Sequence, residues 1–389
     1  MSISDPVRLG VAGLGRGFML TLPSLRVDPH VRVVACAAPR AESRAAFEAE
    51  FGGRGHATVA DLADDPEVEA VYIATPHQMH REHAEILAAR GKHLLIEKPL
   101  AVSMEDANAI VAAARRAGGQ LLTGPSHSFD QPVLKAAELI ASGAYGKVRM
   151  LHAFNYTDFL YRPRRPEELD TAQGGGVLFS QAVHQVDVMR LLMGARATHV
   201  IAMTGAWDRT RPTEGAYSAL IGFEGGGFAT LTYSGYAHFD SDVLMGDVGE
   251  LGHPKAADAY GKARRALATV RTPEEEARLK SGRTYGAVEA PPPAPHAEHF
   301  GPVTISCDDA DLRLVADGVE IWGNVERDLV PAPPTPAPRA PVLAGLHALL
   351  RDRGARPPQS DGWGRASLEI CHAILRSADE GASVALEYQ

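Results

Sequence analysis

Val7-Arg8-Leu9-Gly10-Val11-Ala12-Gly13-Leu14-Gly15-Arg16-Gly17-Phe18 is the stretch on which the fold turns. Leu9 to Ala12 reads as a buried strand, and the glycines after it as a tight turn into a helix. Such a turn lets backbone approach a pyrophosphate, whose charge the helix N-terminus meets. Gly13-x-Gly15 supplies the first two positions of a dinucleotide turn, with Arg16 following. Strict spacing puts the third position on Phe18, and Gly17 stands beside it.

Working outward, strand and helix signals alternate to about Gly124. Val31 to Cys36, Ala70 to Ala74, His93 to Ile96 and Gln120 to Gly124 read as strands, the second and third as buried apolar runs. Pro39 opens an Ala- and Glu-rich helix, and a second helix runs from about His80 to Arg90. Repeated strand–helix units predict a doubly wound parallel sheet over residues 1–126, an α/β dinucleotide-binding domain of the Rossmann type.

The pattern changes after Ser126. A helix near Val133 to Ser142 leads to strands at Lys147–Phe154, His199–Thr204, Ala216–Phe223 and Phe228–Tyr236, the last two joined by the turn Glu224-Gly225-Gly226-Gly227. Residues 127–389 therefore read as an α+β domain with a large, mostly antiparallel sheet. Residues 242–302 turn polar and helical, then Pro-rich at Pro291-Pro292-Pro293, and read as an insertion or lid. Pro331 to Pro341 reads as an extended connector, and a last helix spans Arg365 to Asp379.

A chain of 389 residues with 45% hydrophobic and 22% charged content has room for two cores. A net charge of −9 argues against nucleic acid or an anionic membrane as partner. No apolar run reaches the ~18 residues of a membrane span. Met1-Ser2-Ile3-Ser4-Asp5-Pro6 lacks the features of a signal peptide. Cys36, Cys307 and Cys371 are far apart and read as reduced thiols of a cytoplasmic protein.

The strand His93-Leu94-Leu95-Ile96 ends in Glu97-Lys98-Pro99. Strand ends in such sheets face the ligand crevice, so Lys98 and Glu97 arrive there with a stiffening proline. The second strand ends in Cys36-Ala37-Ala38-Pro39-Arg40, without the acid that would bind a ribose 2′-hydroxyl. Arg40 either meets a 2′-phosphate or is a solvated helix start, so NAD and NADP both stay open. Further on, Gly174-Gly175-Gly176 precedes Ser180, His184 and Asp187, which at i, i+4 and i+7 would share one helical face. A histidine there can exchange a proton with an alcohol. Arg162, Arg164 and Arg165 lie near aromatic residues and can fork onto a carboxylate, or form a solvated basic loop or an inter-subunit salt bridge. His80-Arg81-Glu82-His83 and His296-Ala297-Glu298-His299 lack a third ligand at metal spacing, and no metal site is expected.

Gly13-Leu14-Gly15, Ala74-Thr75-Pro76 with His80, Glu97-Lys98-Pro99 and the glycine run before His184 together resemble the Gfo/Idh/MocA oxidoreductases, over essentially the whole chain. The resemblance implies reversible hydride transfer between NAD or NADP and a hydroxyl carbon of a small-molecule substrate. It implies Lys98 and His184 as catalytic residues, and a homo-oligomer, dimer or tetramer, whose interface is the open sheet of the second domain. It also places Gly13, Gly15, Arg16, Gly17, Phe18, Ala38, Arg40, Thr75, Pro76, His80 and Glu97 around the cofactor. The family's aspartate four residues before the histidine is here Ser180, which can hydrogen-bond but holds no charge. Ser126-His127-Ser128-Phe129-Asp130, Thr157 to Pro166 and Tyr233 to Asp240 resemble the branch that oxidises phthalate 4,5-cis-dihydrodiol. That branch implies an aromatic cis-dihydrodiol acid bound by Arg162, Arg164, Arg165 and Ser180. Sugar or inositol oxidation, and a cofactor-binding sensor without turnover, are the competing readings.

Overall fold

The computed structural model describes residues 5–256, 258–281, 285–286, 292–335, 337–352 and 354–389. The N-terminal Met1 to Ser4, Pro291 of the Pro-rich run and Pro336 of the connector lie outside them. The chain divides into two compact units. The first comprises Met1–Ser126, Ser281–Pro293 and Pro336–Leu368; the second comprises His127–Lys280, Ala294–Thr335 and Glu369–Gln389.

In the first unit, β1 (Val7–Ala12), β2 (Val31–Ala37), β3 (Arg54–His56), β4 (Ala70–Ile73), β5 (His93–Ile96) and β6 (Leu121–Thr123) form one sheet in the order β3-β2-β1-β4-β5-β6. Every pairing is parallel. The crossovers carry α1 (Arg16–Val27), α2 (Ala41–Phe51), α3 (Val59–Asp64), α4 (His80–Ala89) and α5 (Met104–Arg116). Helices on both faces explain why β4 and β5 read as unbroken apolar runs: Val71, Tyr72, Ile73, Leu95 and Ile96 are fully buried. The strand order reverses between β1 and β4, and a ligand crevice opens there. The β1 strand delivers Gly13 to that point and β5 delivers Glu97 one strand further on.

In the second unit, nine strands form a sheet in the order β14-β13-β12-β11-β7-β10-β9-β8-β15. They are β7 (Val148–Tyr156), β8 (Ala197–Gly205), β9 (Ala216–Phe223), β10 (Phe228–Ser234), β11 (Val303–Cys307), β12 (Ala310–Val315), β13 (Gly318–Gly323), β14 (Arg327–Pro331) and β15 (Val384–Ala385). Only β10 and β7 run parallel; the other pairings are antiparallel. The turn between β9 and β10 holds Gly225 at φ +82° and Gly226 at φ +85°, as its glycine run leads one to expect. Helices α6 (Gln131–Ala141) and α7 (Val183–Met193) cover one sheet face. Val186, Met189 and Leu192 of α7 bury with Leu151, Ala153, Ile221, Leu231 and Ile305 of the strands. Strands β11 to β14 are additions to the sequence reading, which had placed the end of the polar 242–302 stretch and a connector around them.

Candidate active site

The first unit builds a cradle at the end of β1. Gly13 has φ +93°, and a side chain there would meet the Ala74 carbonyl oxygen at 2.9 Å and Thr75 Cγ2 at 2.9 Å. Only glycine lets the turn pass this close to the end of β4. Gly15 is the N-cap of α1 without a side-chain cap, and a Cβ on it would point into open space. The first N–H groups of α1 therefore lack a side-chain acceptor at the cap, as a pyrophosphate site requires. A cleft of about 730 Å³ joins Gly13, Gly15, Ala38, Arg40, Thr75 and Pro76. These residues fit a dinucleotide: Gly13, Gly15 and Ala38 leave room, the uncapped start of α1 would meet the phosphates, and the Arg40 guanidinium is exposed. Arg44 donates to the Ala38 and Pro39 carbonyls at 2.7 and 2.9 Å, fixing the β2–α2 corner.

Glu97 and its neighbours form the second part of this unit's site. Its Oε1 accepts from the buried Tyr72 hydroxyl at 2.5 Å, and its Oε2 accepts from the Lys98 backbone N–H at 3.3 Å. A Cβ on Gly17 would lie 2.9 Å from Glu97 Oε1. Gly17 is therefore a close-approach glycine, although it misses the motif's spacing. Phe18 turns inward instead, fully buried and edge-on to Tyr285 at 5.1 Å. His80 faces the Thr75 carbonyl through Nε2 at 3.0 Å and the Pro99 and Leu100 carbonyls through Nδ1 at 3.2 Å. Burial pushes His80 down to about 4, so its ring is neutral near pH 7 and ties the ends of β4 and β5 together. Arg16, the first residue of α1, is exposed.

In the second unit, Gly176 has φ +76° and a Cβ there would strike the Glu214 carboxylate. Glu214 is buried and accepts from the Leu178 N–H at 3.2 Å and the Thr213 hydroxyl at 3.1 Å. Burial raises its pKa. This packing starts a π-helical turn, Leu178–Ala182, that feeds α7. Ser180 lies in that turn and donates to the Gly176 carbonyl. The π turn corrects the expected geometry: Ser180 and His184 do not follow one another at α-helical pitch, since an i→i+5 turn rotates what precedes it. π turns of this kind recur at functional sites.

His184 is buried at the start of α7. Its ring meets His127 at 4.6 Å and Phe300 at 4.9 Å, and Phe300 in turn stacks near-parallel with Tyr233 at 6.1 Å. The Tyr233 hydroxyl donates to Gln181 Oε1 at 3.1 Å and shares a hydrogen bond with the Thr157 hydroxyl at 2.8 Å. His127 Nδ1 contacts Asp130 Oδ2 at 2.6 Å, and its Nε2 lies 3.6 Å from Glu250 Oε1. Burial alone would lower the His127 pKa, but the Asp130 and Glu250 carboxylates outweigh it and raise it to about 10. Glu298 brings a carboxylate within 4.8 Å of the ligand atoms of His127 and Asp130. His127 and Asp130 form a buried ion pair within this group.

Residues 7–124 match the family described as "Oxidoreductase family, NAD-binding Rossmann fold", and residues 133–253 match the "GFO/IDH/MocA C-terminal domain". Over 375 residues the chain is 45% identical to the 1-carboxy-3-chloro-3,4-dihydroxycyclohexa-1,5-diene dehydrogenase of Comamonas testosteroni, covering 95% of this chain and 94% of the relative. The chain belongs to the Gfo/Idh/MocA oxidoreductases. A crystal structure of a protein from Bordetella bronchiseptica RB50 superposes with a TM-score of 0.92 at 38% identity, covering 98% of this chain and 100% of that one. The 1,5-anhydro-D-fructose reductase of Ensifer adhaerens is 35% identical over 44% of this chain and 52% of its own length.

This Gfo/Idh/MocA chain is thus an NAD-binding oxidoreductase. Its three loop arginines separate. Arg164 is buried with its guanidinium 3.5 Å from the Phe159 ring centroid, and it donates to the Phe159 carbonyl at 2.7 Å. Arg165 pairs with Glu167 at 3.2 Å and Glu168 at 3.4 Å. Arg162 pairs with Asp158 at 3.0 Å and reaches within 4.0 Å of Glu250. His127, Tyr233, Glu250 and Phe300 were not singled out as site residues from the sequence. His127 and Asp130 carried a signal, a His-x-x-Asp pair at a helix start. Phe300 carried none, because its partners are remote in the chain. No helix among the described residues is long and apolar enough to cross a membrane.

Proposed function

We propose that the chain oxidises a carboxylated cyclic cis-dihydrodiol to the corresponding catechol, with a nicotinamide dinucleotide as hydride acceptor. The observation that carries this reading is the aromatic wall beside His184, where Phe300 and Tyr233 lie within 14° of parallel. The diene part of the dihydrodiol, and more so its aromatic product, is flatter than a sugar and matches such a wall better. The Comamonas relative's name describes a dihydrodiol acid, at 45% identity over nearly the whole chain. Sugar oxidation is the second reading, favoured by the sugar reductase relative over less than half of the chain.

The bound dinucleotide supplies the acceptor carbon. His184 takes the hydroxyl proton, since an imidazole titrates near the working pH. Lys98 is the other catalytic residue that the family resemblance implies. The carbon bearing the deprotonated oxygen loses its hydride, giving a hydroxyketone that enolises to the catechol. Aromatisation makes oxidation the favoured direction. The Ser180 hydroxyl, already committed to Gly176, orients the turn before α7 and carries no proton relay. Ala38 offers no acid to repel a 2′-phosphate and Arg40 offers it a counter-charge, so NADP⁺ is accepted beside NAD⁺. Residues 242–302 act as an insertion that furnishes Glu250 and Phe300. The enzyme works in a reducing cytoplasm; Cys36 and Cys371 are buried thiols whose pKa burial raises to about 12, which keeps them unreactive.

Reduction of NAD⁺ and NADP⁺ is followed by absorbance with a panel of dihydrodiol acids, sugars and inositols. Turnover is expected with the dihydrodiol acids. His184→Ala and Lys98→Ala should each lower kcat by about 10²–10⁴ while cofactor binding persists. Near-normal rates in either variant would remove it from the mechanism, and turnover on sugars alone would favour the second reading.

A further inference from the structure

The second unit holds a carboxylate between two cations beside His184. Glu250 Oε1 is 3.6 Å from His127 Nε2, and Glu250 Oε2 is 4.0 Å from Arg162 Nη1. Each cation is anchored more tightly by an acid of its own: His127 by Asp130 at 2.6 Å, Arg162 by Asp158 at 3.0 Å. Charge-assisted N–H···O bonds are typically ~2.7–2.9 Å, so these contacts from His127 and Arg162 to Glu250 are long for paired charges. The anchoring acids fix the cations in place and leave their remaining donors aimed at one carboxylate-sized position.

We propose that His127 and Arg162 form the subsite for the ring carboxylate of the substrate, and that the Glu250 side chain occupies this subsite until substrate displaces it. The inference rests on the dihydrodiol-acid reading above and names the residues that would select the acid. Three observations support it. The subsite adjoins the proposed base, because the His127 ring lies against His184 at 4.6 Å and Phe300 at 5.0 Å. Exchange of one carboxylate for another keeps the local charge constant, so no cation is left buried and unpaired. The Glu250 side chain is 28% exposed, so part of it already meets water. It sits in a turn closed by the Gly252 N–H donating to the Gly249 carbonyl at 2.8 Å, with Gly252 at φ +75°.

The placeholder makes an unusual forecast: removing a charge from the site should improve binding of an acid. The NAD-loaded full chain is titrated calorimetrically with 3,4-dihydroxybenzoate and with catechol, which differ only in the carboxylate. Glu250→Gln should tighten 3,4-dihydroxybenzoate about threefold to tenfold and leave catechol unchanged. Arg162→Met should weaken 3,4-dihydroxybenzoate about tenfold or more, again leaving catechol unchanged, and unchanged catechol binding certifies the fold. An unchanged or weaker acid in Glu250→Gln overturns the placeholder. Equal losses for both probes in Arg162→Met overturn the subsite. If dihydrodiol acids are oxidised but these shifts are absent, the inference alone fails. If no dihydrodiol acid is oxidised and the wild type binds neither probe, the substrate reading fails and takes the inference with it.

Discussion

Two glycines of the nucleotide turn do different work, although a motif search would weigh them alike. Gly13 carries a positive φ of 93° and abuts backbone, the Ala74 carbonyl at 2.9 Å, which cannot swing aside. Gly17 abuts a side chain, Glu97, whose carboxylate is held by Tyr72 at 2.5 Å. Gly13→Ala should therefore cost ~1–3 kcal/mol of stability and weaken NADH binding, since the end of β4 must shift. Gly17→Ala should push Glu97, and with it Lys98, leaving NADH affinity close to normal but lowering kcat. Fluorescence titration with NADH and initial rates separate the two. Loss of affinity in Gly17→Ala with kcat intact would show that this glycine serves the phosphates instead.

At the level of elements, α6 starts in an unusual way. Asp130 is its N-cap residue, yet its side chain makes no cap bond and turns to His127 instead. The His127 pKa, near 10 in the fold, lies above the ordinary ~6.5 of an unfolded histidine. The pair's contribution to stability is therefore fully present below about pH 6.5 and is lost as pH rises towards about 10. Asp130→Asn should flatten the alkaline fall in the denaturation midpoint across that window, and an unaltered slope would show that the pair is not charged. The same elements show what sequence patterns reveal and what they hide. The strands β1, β2, β4, β5 and β6 were legible because burial on both faces makes them mostly apolar, with charged residues such as Arg8 and Arg32 near their starts. The strand β3, Arg54-Gly55-His56, was not legible; it is a three-residue edge strand without a β-branched residue. The π turn at Leu178–Ala182 was hidden too, since spacing arguments assume α pitch and this turn depends on Glu214, remote in sequence. Lys98 and His184 stood out as local motifs. The surroundings of His184 did not: His127, Glu250 and Phe300 meet only through tertiary packing.

On the scale of the whole molecule, the large sheet of the second unit poses the remaining question, because only one of its faces is accounted for. Alternation puts Leu151, Ala153, Val200, Ala202, Ala219 and Ile221 inside, in the core that the helices cover. It puts Met150, Ile201, Met203, Leu220 and Phe228 outside, at 39%, 48%, 78%, 40% and 41% exposure. Register makes these neighbours: Phe228 pairs with Met150 and Ile201 pairs with Leu220. Large apolar side chains exposed together on a sheet face, interspersed with the polar pairs His152–Thr230 and Ser218–Thr232, are a feature of an interface. A two-fold axis on such a face would let it pair with its own copy, the commonest closed assembly. We propose that the chain associates through this face, as the family resemblance implies. Light scattering at micromolar concentration should then report a dimer or tetramer for the wild type. Leu220→Asp places two like charges in the centre of a self-pairing face and should shift the mass to monomer, with a parallel loss of thermal stability. A monomeric wild type, or a Leu220→Asp variant that keeps the wild-type mass, would require that another surface carry the assembly or that none does.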